Sequence, residues 1–195
     1  MSVETPEAVL AFWLDETPIE RWYKSDEAFD RQIIERFEET WIAAAEGGLG
    51  LWLTYPAGTL AFLIVTDQFS RNMFRGQAKA FATDGLARAA AKAAIQRDWD
   101  LRIDQPARQF FYTPLMHSEH ISDQDHAVRL YCSRLESANS LLHAKVHRAI
   151  IRDFGRFPYR NEALGRTSTP EEQRFVEEGG YGELVRKIEA EQVSA

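Results

Sequence analysis

The chain has 195 residues, of which 45% are apolar and 12% aromatic, enough for one sizeable hydrophobic core. With a formal charge of -7 and a pI near 5.3 it offers no chain-wide basic field to neutralise phosphates, so nucleic acid is not expected as a partner. The longest apolar run, Leu60 to Val65, is far short of the roughly 20 residues a bilayer span needs, and Met1 to Leu14 shows neither a basic segment nor a small-residue cleavage site, which predicts a cytoplasmic protein without membrane contact.

In chain order, Thr5-Pro6 reads as an N-cap followed by proline at the first helical position, opening a helix that ends near Leu14. From Asp26, apolar Phe29, Ile33, Phe37 and Trp41 recur every four residues until Gly47-Gly48, the pattern of an amphipathic helix with one buried stripe. From about Thr59 apolar residues occupy every face, which predicts a central helix buried all round. Ala78 to Trp99 is alanine-rich and reads as helix, as does Gln105 to Leu115, opening at Pro106 and interrupted near Pro114. Ser122 and Asp125 suggest a capping-box variant opening a helix through Leu135, Ser137 to Asp153 repeats the helical spacing, and Thr169-Pro170-Glu171-Glu172 is a further start.

No stretch alternates apolar and polar residues as a strand does, so the expected fold class is all-α, with short connections favouring antiparallel helix pairs. No linker or low-complexity tract divides the chain: residues 1–180 are expected to form one domain, and 181–195 a tail that is either a short helix or poorly ordered. The one cysteine, Cys132, falls in an apolar helical pattern and is expected as a small core residue.

Three places break the apolar pattern. On the central helix the line Leu60, Leu63, Asp67, Arg71 turns polar without leaving its face, with Gln68 and Asn72 beside it; this is either a satisfied ion-pair network or one wall of a site. Met116 to His120 packs imidazole and carboxylate into a helix junction where His117 and Glu119 have the chemistry of a proton donor and acceptor, with Gln124 a few residues on. Phe154 to Asn161 with Leu164-Gly165-Arg166 has no period; Arg156, Arg160 and Arg166 supply guanidinium forks suited to an anion, or to staples on Asp67, Glu119, Asp123 or Asp153. His143 and His147 lie one turn apart, but no acidic residue sits between them and His147 shares its line with Ile151 and Phe154, so a hydrogen-bonded His147 is expected and neither metal nor other cofactor.

The motifs Asp67-Gln68-Phe69-Ser70-Arg71-Asn72, Pro114-Leu115-Met116-His117-Ser118-Glu119 and Phe154 to Asn161 with Leu164-Gly165-Arg166 together closely resemble a bacterial family known as domain of unknown function 924. The resemblance runs from about Val3 to Phe175. It implies a tetratricopeptide-like coil of helix pairs and no particular activity, and it carries over Asp67, Gln68, Arg71, Asn72, Arg75, His117, Glu119, Gln124, His147, Arg156, Arg160, Asn161 and Arg166. The chain departs from the family pattern at Tyr159, where histidine is common, and at His120, where aspartate is.

Two functions fit these observations. The first is binding of a small polar or anionic ligand in a concave pocket, held by Asp67, Gln68, Arg71, Asn72, Arg75, Gln124, His147, Arg156, Arg160, Asn161 and Arg166, with His117 and Glu119 as the candidate catalytic pair. The second is a helical scaffold that grips a peptide or protein partner, its polar motifs being internal staples.

Overall fold

The computed structural model describes residues 2–193; Met1, Ser194 and Ala195, the outermost residues of the expected domain and tail, lie outside the described residues. The described chain is helical, with no strand among the described residues. It forms two compact units, Met1–Pro114 and Leu115–Ala195.

In the first unit, α1 (Pro6–Leu10) is capped by the Thr5 hydroxyl, which accepts the Ala8 N–H, and runs on as a π-helical segment, Ala11–Glu16, that buries Phe12 and Trp13. The Asp26 carboxylate caps α2 (Glu27–Ala45), whose predicted stripe of Phe29, Ile33, Phe37 and Trp41 is buried. Between α3 (Pro56–Leu63) and α4 (Ser70–Met73) the helix continues without a break as a second π-helical segment, Ile64–Phe69. Every residue from Gly58 to Ser70 is buried, as the all-round apolar pattern predicts. Phe12, Phe37 and Phe69 meet there with centroids 4.7 to 6.0 Å apart, and each such ring stabilises by roughly 2–3 kcal/mol through burial alone.

The widening of that central helix has a local cause. The Thr66 carbonyl accepts from the Ser70 hydroxyl at 3.0 Å and from the Thr83 hydroxyl at 2.6 Å, and the Thr66 hydroxyl itself bonds back to the Phe62 carbonyl at 2.7 Å. Side-chain bonds to helix carbonyls compete with the regular ladder and open it. Thr83 also receives the Trp41 indole N–H, and these tertiary bonds explain why the alanine-rich region is not one helix: a 3-10 turn at Ala78–Phe81 stops before α5 (Asp84–Gln96). The segment expected as a helix from Gln105 is likewise a 3-10 turn, Ala107–Phe111, followed by the single turn α6 (Thr113–Met116).

In the second unit, α7 (Ile121–Arg134) starts at His120 rather than at Ser122, because Ser118 organises the entry: its hydroxyl accepts the His120 N–H and donates to Asp123 Oδ2 at 2.8 Å. Then α8 (Ala138–Phe154), capped by Ser137, ends at Gly155, whose φ of 71° places it in the left-handed region that glycine enters freely. A 3-10 turn at Pro158–Arg160 precedes α9 (Pro170–Glu177), which opens with a complete capping box between Thr169 and Glu172. The tail is a helix, α10 (Gly180–Val193), and Tyr181, Leu184, Val185 and Ile188 pack against Leu142, Val146, Ile150, Ile151 and Phe157.

Cys132 is exposed, contrary to expectation. The buried face of α7 is centred on Gln124, Ala127 and Tyr131, and the residue after Tyr131 lies about 100° further round, beyond the edge of that face. Cys132 should therefore react in full with a thiol reagent in the folded protein, without denaturant; a thiol that reacts only in urea would contradict this.

Candidate functional site

In the first unit the central-helix motif is knitted into a polar network. Arg71 Nη1 lies 3.2 Å from Asp67 Oδ1, the i,i+4 pair that the spacing predicts, donates to the Asp67 carbonyl at 2.7 Å and lies 3.0 Å from Asp84 Oδ1. Gln68 donates to Asp67 Oδ2 at 2.6 Å. Arg75 takes both oxygens of Asp30, at 2.9 and 3.0 Å, and Asn72 donates to Asp30 Oδ1 at 2.7 Å. Asp30 and Asp84 were not foreseen, since residues 45 and 13 positions away along the chain carry no local mark of the pairing.

In the second unit the loop between α8 and α9 is held by two bidentate arginine–carboxylate pairs. Arg156 grips Glu172 through Nε and Nη2 at 2.5 and 2.7 Å, and Nη2 also donates to the Thr167 carbonyl. Arg166 grips Glu119 through Nη1 and Nη2 at 2.8 and 3.0 Å. Buried Asn161 joins the pairs: Oδ1 accepts from Arg166 Nε and Nδ2 donates to Glu172 Oε2. A continuous chain, Glu119, Arg166, Asn161, Glu172, Arg156, thus fastens the loop to the start of α9. Of the partners expected for these arginines Glu119 is used by Arg166, and Asp153 lies beside Arg152.

The electrostatics follow. The Arg156 hydrogen bonds, against the cost of burial and helped by the Thr169 N–H, hold the Glu172 carboxyl down at about 2. For Glu119 burial works upward, but the Arg166 hydrogen bonds, the Phe157 N–H and the charges of Arg166 and Arg160 outweigh it, so its pKa lies below the ordinary value. Glu119 is an anchored anion with both oxygens occupied.

What these staples leave is an imidazole and aromatic cluster. His147, on α8, is buried; its Nδ1 lies 2.8 Å from the His143 carbonyl, one turn back. A carbonyl only accepts, so Nδ1 carries the proton and Nε2 is left as a lone-pair acceptor with no hydrogen-bond partner among the described residues. The His117 ring is centred 5.9 Å away, and the ring of Phe157 stands edge-on at 5.5 Å. Burial, joined by the charges of His117 and Arg160, drives the His147 pKa down to about 3 despite the carbonyl bond. Arg160 is itself buried, its guanidinium 4.5 Å over Phe157. Gln124 donates to the carbonyls of Met116 and Ser118 at 2.6 Å each, clamping the peptide on both sides of His117, while its own Oε1 is buried without a partner among the described residues.

A model of bacterial proteins of unknown function, DUF924, matches residues 9–180. The chain belongs to this family. A solved structure of a protein of unknown function from Agrobacterium tumefaciens is similar at a TM-score of 0.85 and 41% identity, over 89% of this chain and 97% of that one. No curated protein matches the chain.

The three DUF924 motifs all fall inside the matched span, and α10 begins where that span ends. Within each unit the motif residues are gathered: Asp67, Gln68, Arg71, Asn72 and Arg75 in the first, and His117, Glu119, Gln124, His147, Arg156, Arg160, Asn161 and Arg166 in the second. Sequence reasoning missed three members of the second group. Glu172 was visible only as a capping acid, the role of one of its two oxygens. His143 turns its Nδ1 to the Tyr181 hydroxyl at 2.6 Å, and Tyr181 in turn stands 5.0 Å from the His147 ring; nothing in the sequence around Tyr181 marks it.

Proposed function

We propose that this protein binds a small polar anion in its second unit, with Arg160 holding the negative charge and His147 Nε2 accepting a hydroxyl or N–H of the same ligand. The observation that carries this reading is the fixed tautomer of His147. Nδ1–H is committed to a backbone carbonyl, which aims a neutral acceptor at a position beside His117 and Arg160. Polar groups preorganised in this way by a rigid helix and by second contacts are what a binding site needs and a purely structural core does not. Arg156, Arg166, Asn161 and Glu119 then position the loop that carries Arg160. Gln124 positions His117, which is the group placed to hand over a proton.

Glycolate and acetate test this directly, because they differ in the hydroxyl that His147 would accept. Glycolate at millimolar concentration should shift the His147 Nε2 nitrogen resonance, acetate should act about tenfold more weakly, and Arg160→Lys should weaken glycolate by about tenfold by losing the planar fork. Equal responses to the two acids, or none from His147, would sink the reading.

The second reading is a tetratricopeptide-like coil of helix pairs that grips a peptide in the cytoplasm. It draws support from the saturation of Arg75, Arg156 and Arg166 by Asp30, Glu172 and Glu119, which makes those motif residues staples. No helix of the described residues is long and apolar enough to cross a membrane. An intact His147 response to glycolate separates the two readings, since a peptide groove has no reason to prefer a hydroxy acid to acetate.

A further inference from the structure

The last helix meets the site chiefly through Tyr181. Tyr181 Oη lies 2.6 Å from His143 Nδ1 and 3.4 Å from His147 Nδ1, and its ring stacks in parallel on His143 at 5.9 Å. Because His147 Nδ1 is a donor, the Tyr181 oxygen accepts on that side and donates its own proton to His143, so one hydroxyl orders both imidazoles. Burial and the nearby Tyr159 push the Tyr181 hydroxyl well above the usual phenol range, which keeps it protonated for this task. The rest of the apolar attachment, through Leu184, Val185 and Ile188, is only partly buried, and no residue of α10 whose side chain is described is fully buried. At its start stand Gly179 and Gly180, with φ of 100° and 52°, a pair of left-handed residues that turns the chain sharply after α9.

We propose that α10 is a strap hinged at Gly179 and Gly180, whose Tyr181 closes the Nδ1 side of His147, and that lifting the strap admits water there and loosens the orientation of the acceptor. The family match ends at residue 180, so the strap lies outside the shared core and is suited to regulating a site that the core provides. As regulation of that site, this inference rests on the function proposed above; as a statement about α10 it stands on the contacts alone.

The same contacts make the strap sensitive to acid. The groups facing the two imidazoles are Glu189 and Tyr181 from α10, Arg160 from the 3-10 turn and His117 from the turn before α7, while Tyr159 packs on Tyr181. Glu189 favours charge on His143, whereas Arg160 and His117 oppose it on His147. A charged His143 has no lone pair for the Tyr181 hydroxyl, and water reaching a lifted His147 relieves its desolvation, so protons and lifting favour one another.

Hydrogen exchange and imidazole NMR on the full chain test the proposal. In the unaltered protein the amides of α10 should exchange together, on the order of 100-fold faster than those around Val146 and Ile150. Tyr181→Ala should speed α10 exchange about another tenfold without changing α8, and should raise the His147 titration midpoint by about one unit towards its ordinary value. Tyr181→Phe keeps the ring cover and should leave α10 within about threefold of the parent. Exchange of α10 at the α8 rate, or an unmoved His147 midpoint in Tyr181→Ala, would overturn the strap. The exchange result in the unaltered chain decides even if that variant fails to fold. None of these readouts uses a ligand, so their failure leaves the glycolate result standing, and the reverse holds too.

Discussion

Glu172→Gln should lower stability at pH 7 by about 2 kcal/mol, less than the cost of stripping one partner from a fully buried ion pair because the Arg156 guanidinium left behind is partly exposed. Glu172 is only 3% exposed and its carboxylate serves three groups at once: the Arg156 fork, the Asn161 amide and the Thr169 N–H of the capping box. Glutamine retains an oxygen for the cap but offers an amide where Arg156 needs an anion. Glu172→Ala also removes the cap and should cost about 1 kcal/mol more. Gln173→Ala, next door and exposed, should stay within about 0.5 kcal/mol of the parent.

The readout is the urea midpoint by circular dichroism, because all five tryptophans lie at or before Trp99 and their fluorescence reports only the first unit. The acid limb is a second check. A carboxyl held at about 2 against an ordinary 4.5 contributes its full stabilisation above pH 4.5, and that contribution disappears as pH falls towards 2. Glu172→Gln should flatten the stability curve across that window. Equal acid sensitivity in parent and variant would show that the pair is not formed in solution.

The second large effect belongs to His147 and has a different window. Its pKa falls from an ordinary 6.5 to about 3 on folding, so above pH 6.5 it is neutral in both states and has no influence on stability. Between 6.5 and 3 the unfolded chain takes up the proton and the folded one does not, so stability drops by about 1.4 kcal/mol per unit, approaching about 5 kcal/mol in all. His143, also lowered by burial, adds a smaller loss of the same sign. His147→Phe should be within about 1.5 kcal/mol of the parent at pH 7.5 and should lose most of the slope between pH 6 and 4. An unchanged slope would mean that another group is responsible for the acid sensitivity. Together the two variants separate the effects: glutamine at 172 flattens the slope between about pH 4.5 and 2, and phenylalanine at 147 flattens it from about pH 6.5 down to 3.

The structure also corrects how the motif residues divide their labour. Arg156 and Arg166, expected as anion-binding forks, are each filled by a carboxylate from elsewhere in the unit. Glu119, the expected partner of His117 in proton transfer, is instead the anchor of Arg166, held in its charged form. Only after these are set aside does the acceptor edge of His147 stand out.

By itself the sequence determined the helical class, the α2 stripe, the buried hub around Leu60 to Phe69, the capping box of α9 and membership of DUF924. These are legible because helix periodicity and capping depend on neighbours within a turn or two, and a buried face shows in the residues that build it. Only the tertiary structure decided that Asp30 meets Arg75, that Glu172 meets Arg156, that Cys132 faces outward and that Thr83 breaks a helix to reach Thr66. It also brought Tyr181 to His143 and left the His147 Nε2 without a hydrogen-bond partner among the described residues. In a chain with 23 basic and 30 acidic residues, many ion pairs are chemically equivalent, and what selects among them is which side chains packing brings within 3 Å after the helices have folded.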